Sequence, residues 1–348
     1  MNYKIKLFYL FSILIIFSLA LMYTNNIFNT ALSEKKKEHH LIEVKKGMGL
    51  FQVSSLLFKR GIIQSPYLFN IQVMLRGASK KLRVGIYELS PSMTQKKIYT
   101  ILTNGFVATK KITIPEGFTV QSIAQKLEEN KITSKEDFIR ISREKEFITS
   151  LGLNVDSLEG YLFPDTYFFK IKTKPKLVLK KMFQNLRKKI TPQIMTKISK
   201  KKSTLHKVLT LASIVEKETS IHNERFLIAS VFLNRLKKNM RLQSDPTVIY
   251  SLPFFKGKLS KKDLRYNSPY NTYIHRGLPP GPIANPGFES ISAVLNPSAK
   301  RFLYFVAAEE KGHLFSRTYK EHRKKIRLIK KQRFRKVDLN YGGVSSSR

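Results

Sequence analysis

The chain has 348 residues, 42% of them hydrophobic, with 64 Lys and Arg against 24 Asp and Glu and a formal net charge of +40. That much apolar material excludes a chain disordered throughout, and the length suits two or three domains. Cys is absent, which excludes disulfides, thiolate metal sites and a Cys nucleophile. The lysines are scattered and no nucleic-acid motif accompanies them, so they read as solvated faces and no nucleic-acid partner is expected.

The first element is an anchor. Leu7 to Tyr23 is an apolar run of seventeen residues with Lys4 and Lys6 before it. That is at the short end of what crosses a hydrocarbon core of ~30 Å. No small-residue cleavage motif follows Ser18 and Ala20, so an uncleaved signal anchor is preferred over a cleaved signal peptide. The positive-inside rule places the bulk of the chain on the extracytoplasmic side, as a single-pass protein of the cytoplasmic (inner) membrane. Residues 1–24 are thus read as cytoplasmic tip and anchor, and the polar, Lys-rich residues 25–40 as a linker.

Two segments then resemble each other at an offset of seventy residues, one from Ile42 and one from Ile112. Ile42 pairs with Ile112, Gly47 with Gly117, Leu50 with Val120, Val53 with Ile123, Leu57 with Leu127 and Ile62 with Ile132. Alternating apolar residues, a Gly turn and then a 3–4 spacing predict a strand followed by a helix in each. Such units resemble LysM modules, which bind N-acetylglucosamine-containing glycans, although plain scaffold is the commoner use of a strand–Gly–helix unit. Leu82 to Leu89 alternates like a strand, and Ser92 and Thr94 offer N-caps for a helix through Leu102. Residues 41–108 are therefore read as a small LysM-like α+β domain.

Residues 109–322 are read as a larger mixed α/β catalytic region. Lys135 to Leu151 predicts a helix, and Leu158 to Phe169 an aromatic, extended segment in which Glu159 and Asp165 are turn and capping groups. Leu205, Val208, Leu209, Ala212 and Val215 form the apolar stripe of a helix. A break at Thr219 to Asn223 leads into a second amphipathic helix. Asp245 reads as the N-cap of a further helix with Pro246 at N1. Asn267 to Asn285 is a Pro-, Gly-, Asn- and Tyr-rich loop long enough to be functional, a helix follows from Gly287 to Leu295, and then a strand near Phe302 to Glu309. Residues 323–348 form a basic tail, with nine Lys or Arg between Arg323 and Lys336, expected as an exposed helix running into a disordered end.

No metalloprotease, phosphate-loop, nucleophile-elbow or dinucleotide motif is present, and no His pair has helical metal-ligand spacing. No metal or cofactor is expected. What stands out is Leu209 to Ser220, where Glu216 and Glu218 close an apolar helix. Residues two apart face different ways, so they are not a matched acid/base pair. Glu218 continues the buried side after Leu211 and Ile214. Lost hydration and the negative helix C-terminus would both raise its pKa, as a general acid needs near neutral pH. On these residues alone, a solvated or cation-paired carboxylate is the plainer reading.

The motifs LEGYLFPDTY, LASIVEKET, RLQSDPTVIY, SPYNTY and GLPPGPIANPG, in this order, resemble the endolytic murein transglycosylases, the YceG-like family. The resemblance spans most of the chain after the anchor and is strongest from Leu158 to His322. It implies cleavage of the β-1,4 bond between N-acetylmuramic acid and N-acetylglucosamine without water, leaving 1,6-anhydro ends. It also implies a place in terminating nascent strands beside cell-wall synthases. One carboxyl group suffices for this chemistry, unlike the two-carboxylate hydrolases. By the same resemblance the Glu218-Thr219 pair carries the catalytic role, with Glu216 in reserve. Gln243, Asp245, Tyr270, Asn271 and Tyr273 would line the glycan groove. A second class of function remains open, a non-catalytic glycan-binding envelope scaffold that recruits synthases.

Overall fold

The computed structural model describes residues 3–78, 81–255, 257–308 and 312–341, with side chains through 332. It is a mixed helix-and-strand chain in two compact units, Met1–Lys110 with Phe168–Ile171, and Lys111–Tyr167 with Lys172–Arg348.

Helix α1 (Tyr3–Asn29) opens the first unit. Its best 18-residue window has a mean hydropathy of 2.3, so by length and composition it can cross a membrane. It does not stop at residue 24, and its last turns belong to the folded unit rather than to a linker. Phe28 is buried against Phe69 and Tyr99, with the Arg76 guanidinium 4.3 Å from its ring centre. Thr24 accepts a 2.6 Å hydrogen bond from Gln72. Beyond the helix, Ala31 bridges Thr94. The polar composition of residues 25–40 hid this, because one buried aromatic among polar neighbours leaves no periodic signal.

The rest of the unit is β1 (His40–Val44), α2 (Leu50–Lys59), α3 (Pro66–Leu75), β2 (Gly85–Leu89) and α4 (Gln95–Asn104). Strands β1 and β2 pair antiparallel, Ile42 opposite Tyr87, which places both in a core with Val53, Leu57, Ile62, Phe69 and Val73. Thr94 caps α4 by accepting from Lys97 N.

The predicted repeat is real as local structure. The second copy runs β3 (Thr109–Thr113), α5 (Val120–Glu129), α6 (Lys135–Ile141), α7 (Lys145–Ser150) and β4 (Thr166–Lys170), and β3 pairs with β4 as β1 does with β2. Gly47 and Gly117 both take positive φ, +91° and +74°, where a Cβ is strained. Leu50 and Val120 both begin their helices, and Ile62 and Ile132 are both buried. The single helix expected over 135–151 is two short ones, since Ser142 to Glu144 leave the helical path.

The second unit continues with α8 (Pro175–Lys189), α9 (Pro192–Lys200), α10 (Leu205–Glu218), α11 (His222–Lys237), α12 (Asp245–Ser251) and α13 (Phe288–Leu295). Then come the antiparallel pair β5 (Tyr304–Ala308) and β6 (Gly312–Ser316), and α14 (Tyr319–Tyr341). Helix α10 is the centre of the unit. Val208 through Val215 are all buried, and α9, α11, α12 and α13 all pack on it. Helix α14 lies on β5 and β6, with the His322 ring stacked on Tyr304 and Ile329 buried. Residues 342–348 of the expected disordered end lie outside the described residues.

Candidate active site

Glu218 is the last residue of α10, and Thr219 breaks the helix in extended conformation (φ −148°, ψ 141°). The apolar stripe that buries α10 carries the Glu218 carboxyl inward, yet the residue keeps part of its surface in water. Burial raises its pKa to about 7, and the nearby Asp245 adds to the rise. A hydrogen bond from Ser244 and the charge of Arg235 pull the other way. The Ser244 hydroxyl donates to Oε1 of Glu218.

Ser244 is itself held from behind. Its N–H donates to Thr272 Oγ1 at 3.0 Å, and Thr272 and Thr247 hydroxyls meet at 2.8 Å. Gln243, in the left-handed region at φ 51°, donates its N–H to Thr272 O at 3.1 Å. This buried threonine pair staples the start of α12 to the turn at 271–273. Ser244, not Asp245, occupies the N-cap of α12, and Pro246 follows within the first turn. The Ser244 hydroxyl makes no cap bond, because it is engaged by Glu218.

Around this point, Asp245 accepts a 2.5 Å hydrogen bond from the Tyr273 hydroxyl. Burial and that carboxylate raise the Tyr273 pKa. Arg235, buried on α11, grips Leu242 O at 2.7 Å and Leu303 O at 2.7 Å. One partly reachable carboxyl that is half-protonated near neutral pH, with a hydroxyl donor and polar neighbours, can give and then retake a proton.

A model of the YceG-like family matches residues 42–328. The chain belongs to this family. An endolytic murein transglycosylase of Bacillus subtilis is 36% identical over 301 residues, 81% of this chain and 82% of the relative. One from Streptococcus pneumoniae is 29% identical over 321 residues, covering 82% of this chain, which spans 57% of that longer relative. The crystal structure of a YceG-like protein from Listeria monocytogenes matches at a TM-score of 0.58 and 37% identity, covering 83% of this chain and 99% of that one.

The YceG-like motifs do different work in the structure. Glu216, the reserve candidate, is wholly engaged. Its carboxylate accepts from Gly287 N (3.0 Å) and Ser290 Oγ (2.7 Å) and pairs with buried Arg225 at 3.3 Å. It anchors the start of α13 and has no face left for substrate. Asn271 is likewise internal. Its Nδ2 donates to Tyr266 O (2.8 Å) and Leu264 O (3.2 Å), and its Oδ1 accepts from Tyr273 N. Being buried, it shapes the loop rather than lining a groove, because a short polar side chain in a turn-rich loop satisfies its own backbone first.

Gln243 and Asp245 are exposed, and Tyr273 and Tyr270 half-buried. Gln243, Asp245 and Tyr273 lie about Glu218. Tyr270 packs instead on Tyr250, ring centres 5.0 Å apart, and Tyr250 reaches Glu159. Glu159 caps α5, accepting from Val120 N at 3.0 Å and from Asn285 Nδ2 at 3.0 Å. Asp165 accepts from Thr166 N and Asn185, which holds its pKa down. Both are the turn and capping groups expected. Ser244 and Thr247 lie within RLQSDPTVIY and Thr272 within SPYNTY, but no sequence signal marked their roles, and Arg235 lies outside these motifs.

Proposed function

We propose that this chain is an endolytic murein transglycosylase, a lyase that cuts peptidoglycan glycan strands internally between N-acetylmuramic acid and N-acetylglucosamine. The observation that carries the reading is the single carboxyl of Glu218, protonated near neutral pH by burial yet still reachable. Glu218 gives its proton to the glycosidic oxygen as the C1–O bond breaks. The carboxylate then takes the proton of the muramic C6 hydroxyl while that oxygen bonds to C1. The ring closes as a 1,6-anhydro sugar, Glu218 ends protonated, and no water is consumed. A hydrolase would need a second group to activate water or trap the sugar, and among the described residues the carboxylate beside Glu218 is Asp245, which Tyr273 engages.

Gln243, Asp245 and Tyr273 are the groove residues of this proposal, with Tyr270 further along. Helix α1 anchors the chain in the cytoplasmic membrane, with the chain that follows it on the outer side. The strand–helix–helix–strand order of β1, α2, α3 and β2 supports the LysM-like reading of the first unit as a glycan-binding module. Termination of nascent strands beside cell-wall synthases completes the reading.

The test uses the full-length chain in detergent, since Phe28 of α1 belongs to the first unit's core. Wild type and Glu218→Gln are incubated with uncrosslinked glycan strands and the products weighed by mass spectrometry. Anhydro-muramic ends from wild type alone are expected. Reducing ends would mean hydrolysis, and equal cleavage by the variant would remove Glu218 from the chemistry. A folded wild type that binds strands without cutting them would favour the scaffold.

A further inference from the structure

Arg235 is more than nine-tenths buried, at 7% exposure. Its hydrogen bonds run to neutral acceptors: Leu303 O, Leu242 O, Arg241 O at 3.3 Å and Gln243 Oε1 at 3.4 Å. Its guanidinium carbon stands 5.2 Å from the centre of the Tyr304 ring. Among the described residues no carboxylate comes within ion-pair distance of it. A buried guanidinium without a carboxylate in contact is costly to keep. Arg225, on the same helix, shows the ordinary solution, with Glu216 and Glu289 both on its guanidinium.

We infer that Arg235 is the positioning residue of the Glu218 acid/base: its charge is reserved for the carboxylate that Glu218 becomes in mid-reaction, and its N–H groups fix the segment that delivers Ser244. The inference deepens the transglycosylase reading and rests on it. Geometry carries the grip, and the grip brings the charge to within one residue of Ser244, the donor to Glu218. Residues 241–243 lead directly into Ser244, and Arg235 holds three of their acceptors at once. The bond to Leu303 O ties the same guanidinium to the chain entering β5. Among the described residues the charged and titratable groups facing the pair are few. Glu218 meets Asp245 from α12, Tyr273 from the loop and Arg235 from α11. Arg235 meets Tyr304 from β5 and, beyond it, His322 and Lys325 from α14. The His322 ring stacks on Tyr304 at 5.2 Å.

In the first step Glu218 loses its proton inside a partly dry site. A fixed positive charge nearby stabilises that carboxylate without having to reorganise. Lys could supply the charge but could not hold Leu303 O and the 241–243 acceptors together, because those bonds leave from two nitrogens of the guanidinium, Nε and Nη1, and an ammonium is a point donor.

The experiment is the pH profile of kcat/KM, followed as anhydro-end formation by the full-length chain, for wild type, Arg235→Gln, Arg235→Met and Arg235→Lys. Activity needs protonated Glu218, so the profile falls on its alkaline side. Loss of the charge moves that limb upward by about half a pH unit or more and lowers kcat about tenfold or more, with KM little changed. Arg235→Lys keeps the limb at the wild-type position while kcat still falls. A purely structural Arg235 would lower activity at every pH and leave the limb in place in all variants, and that result overturns the inference. If both neutral variants fail to fold, the Lys variant decides, since an upward limb there contradicts a role carried by charge. Failure of the underlying reading looks different: wild type then yields no anhydro ends at any pH.

Discussion

Replacing Glu218 by Gln should make the protein more stable, and more so as pH rises. Gln keeps the shape of the side chain and can still accept the Ser244 hydrogen bond. It removes the ionisation that burial opposes. The folded pKa of Glu218 is about 7 against an ordinary value of 4.5. The folded state therefore holds a proton that the unfolded chain releases, and stability is lost as pH climbs from the ordinary value through the folded one. At ~1.4 kcal/mol per unit, the full loss is about 3 kcal/mol. That is an upper bound, because Glu218 keeps part of its surface in water. The difference between variant and wild type should grow by about 2 kcal/mol from pH 5 to pH 8. Glu159, also raised, to about 8, titrates identically in both proteins and cancels. Urea unfolding of the two full-length chains, followed by circular dichroism across that range, reads the difference directly. A difference that is flat with pH, or that favours wild type at pH 8, would refute the claim that this carboxyl is held protonated by burial.

Three further outcomes follow from the same contacts. Ser244→Ala removes the hydrogen bond that lowers the Glu218 pKa, so the alkaline limb of kcat/KM should move upward. An unmoved limb in a pH-rate titration would mean that the bond does not favour the carboxylate over the acid. Glu216→Ala strips a carboxylate from buried Arg225 and frees Gly287 N, which should cost about 3 kcal/mol in denaturant unfolding. The protein that remains folded should still release anhydro ends, and if it does not, the two carboxylates have exchanged roles. Phe28→Ala opens the core between α1, α3 and α4 and should cost about 3–4 kcal/mol in the first unit. Hydrogen exchange at β1 and β2 would report it, and unchanged protection there would show that α1 ends at the membrane after all.

The parts of this molecule that could be read from its residues are those with a period or a repeated spacing. The α10 stripe, the paired strand–Gly–helix segments and the Gly287 to Leu295 helix all leave such a trace, and all are present. The burial of Glu218 was legible for the same reason, since it continues a buried stripe and then the helix ends, whereas the role proposed for it came from the family motifs. Phe28, Ser244 and Arg235 were not. Each acts through a partner far away in sequence: Phe28 through Phe69 and Tyr99, Ser244 through Glu218, Arg235 through Leu303. A hydroxyl or a guanidinium in such a role has no pattern of its own. Asn271 shows the converse error, where a polar residue in a promising loop serves the loop.

A raised pKa does not by itself choose the acid, because Glu159 is raised further than Glu218. The neighbours decide. Glu159 is 6% exposed and receives Val120 N and Asn285 Nδ2 on its oxygens. Asn285 in turn accepts from Leu162 N and donates to Phe118 O. The carboxyl is thus the centre of a closed network joining three chain segments, and a leaving oxygen cannot reach it without breaking that network. Glu218 receives one hydroxyl, ends its helix and keeps part of its surface in water. Burial raises the pKa in both places, but of the two carboxyls it is Glu218, at the C-terminus of α10, that stays outside a closed network and in part of its surface meets water, which is why the acid is placed there.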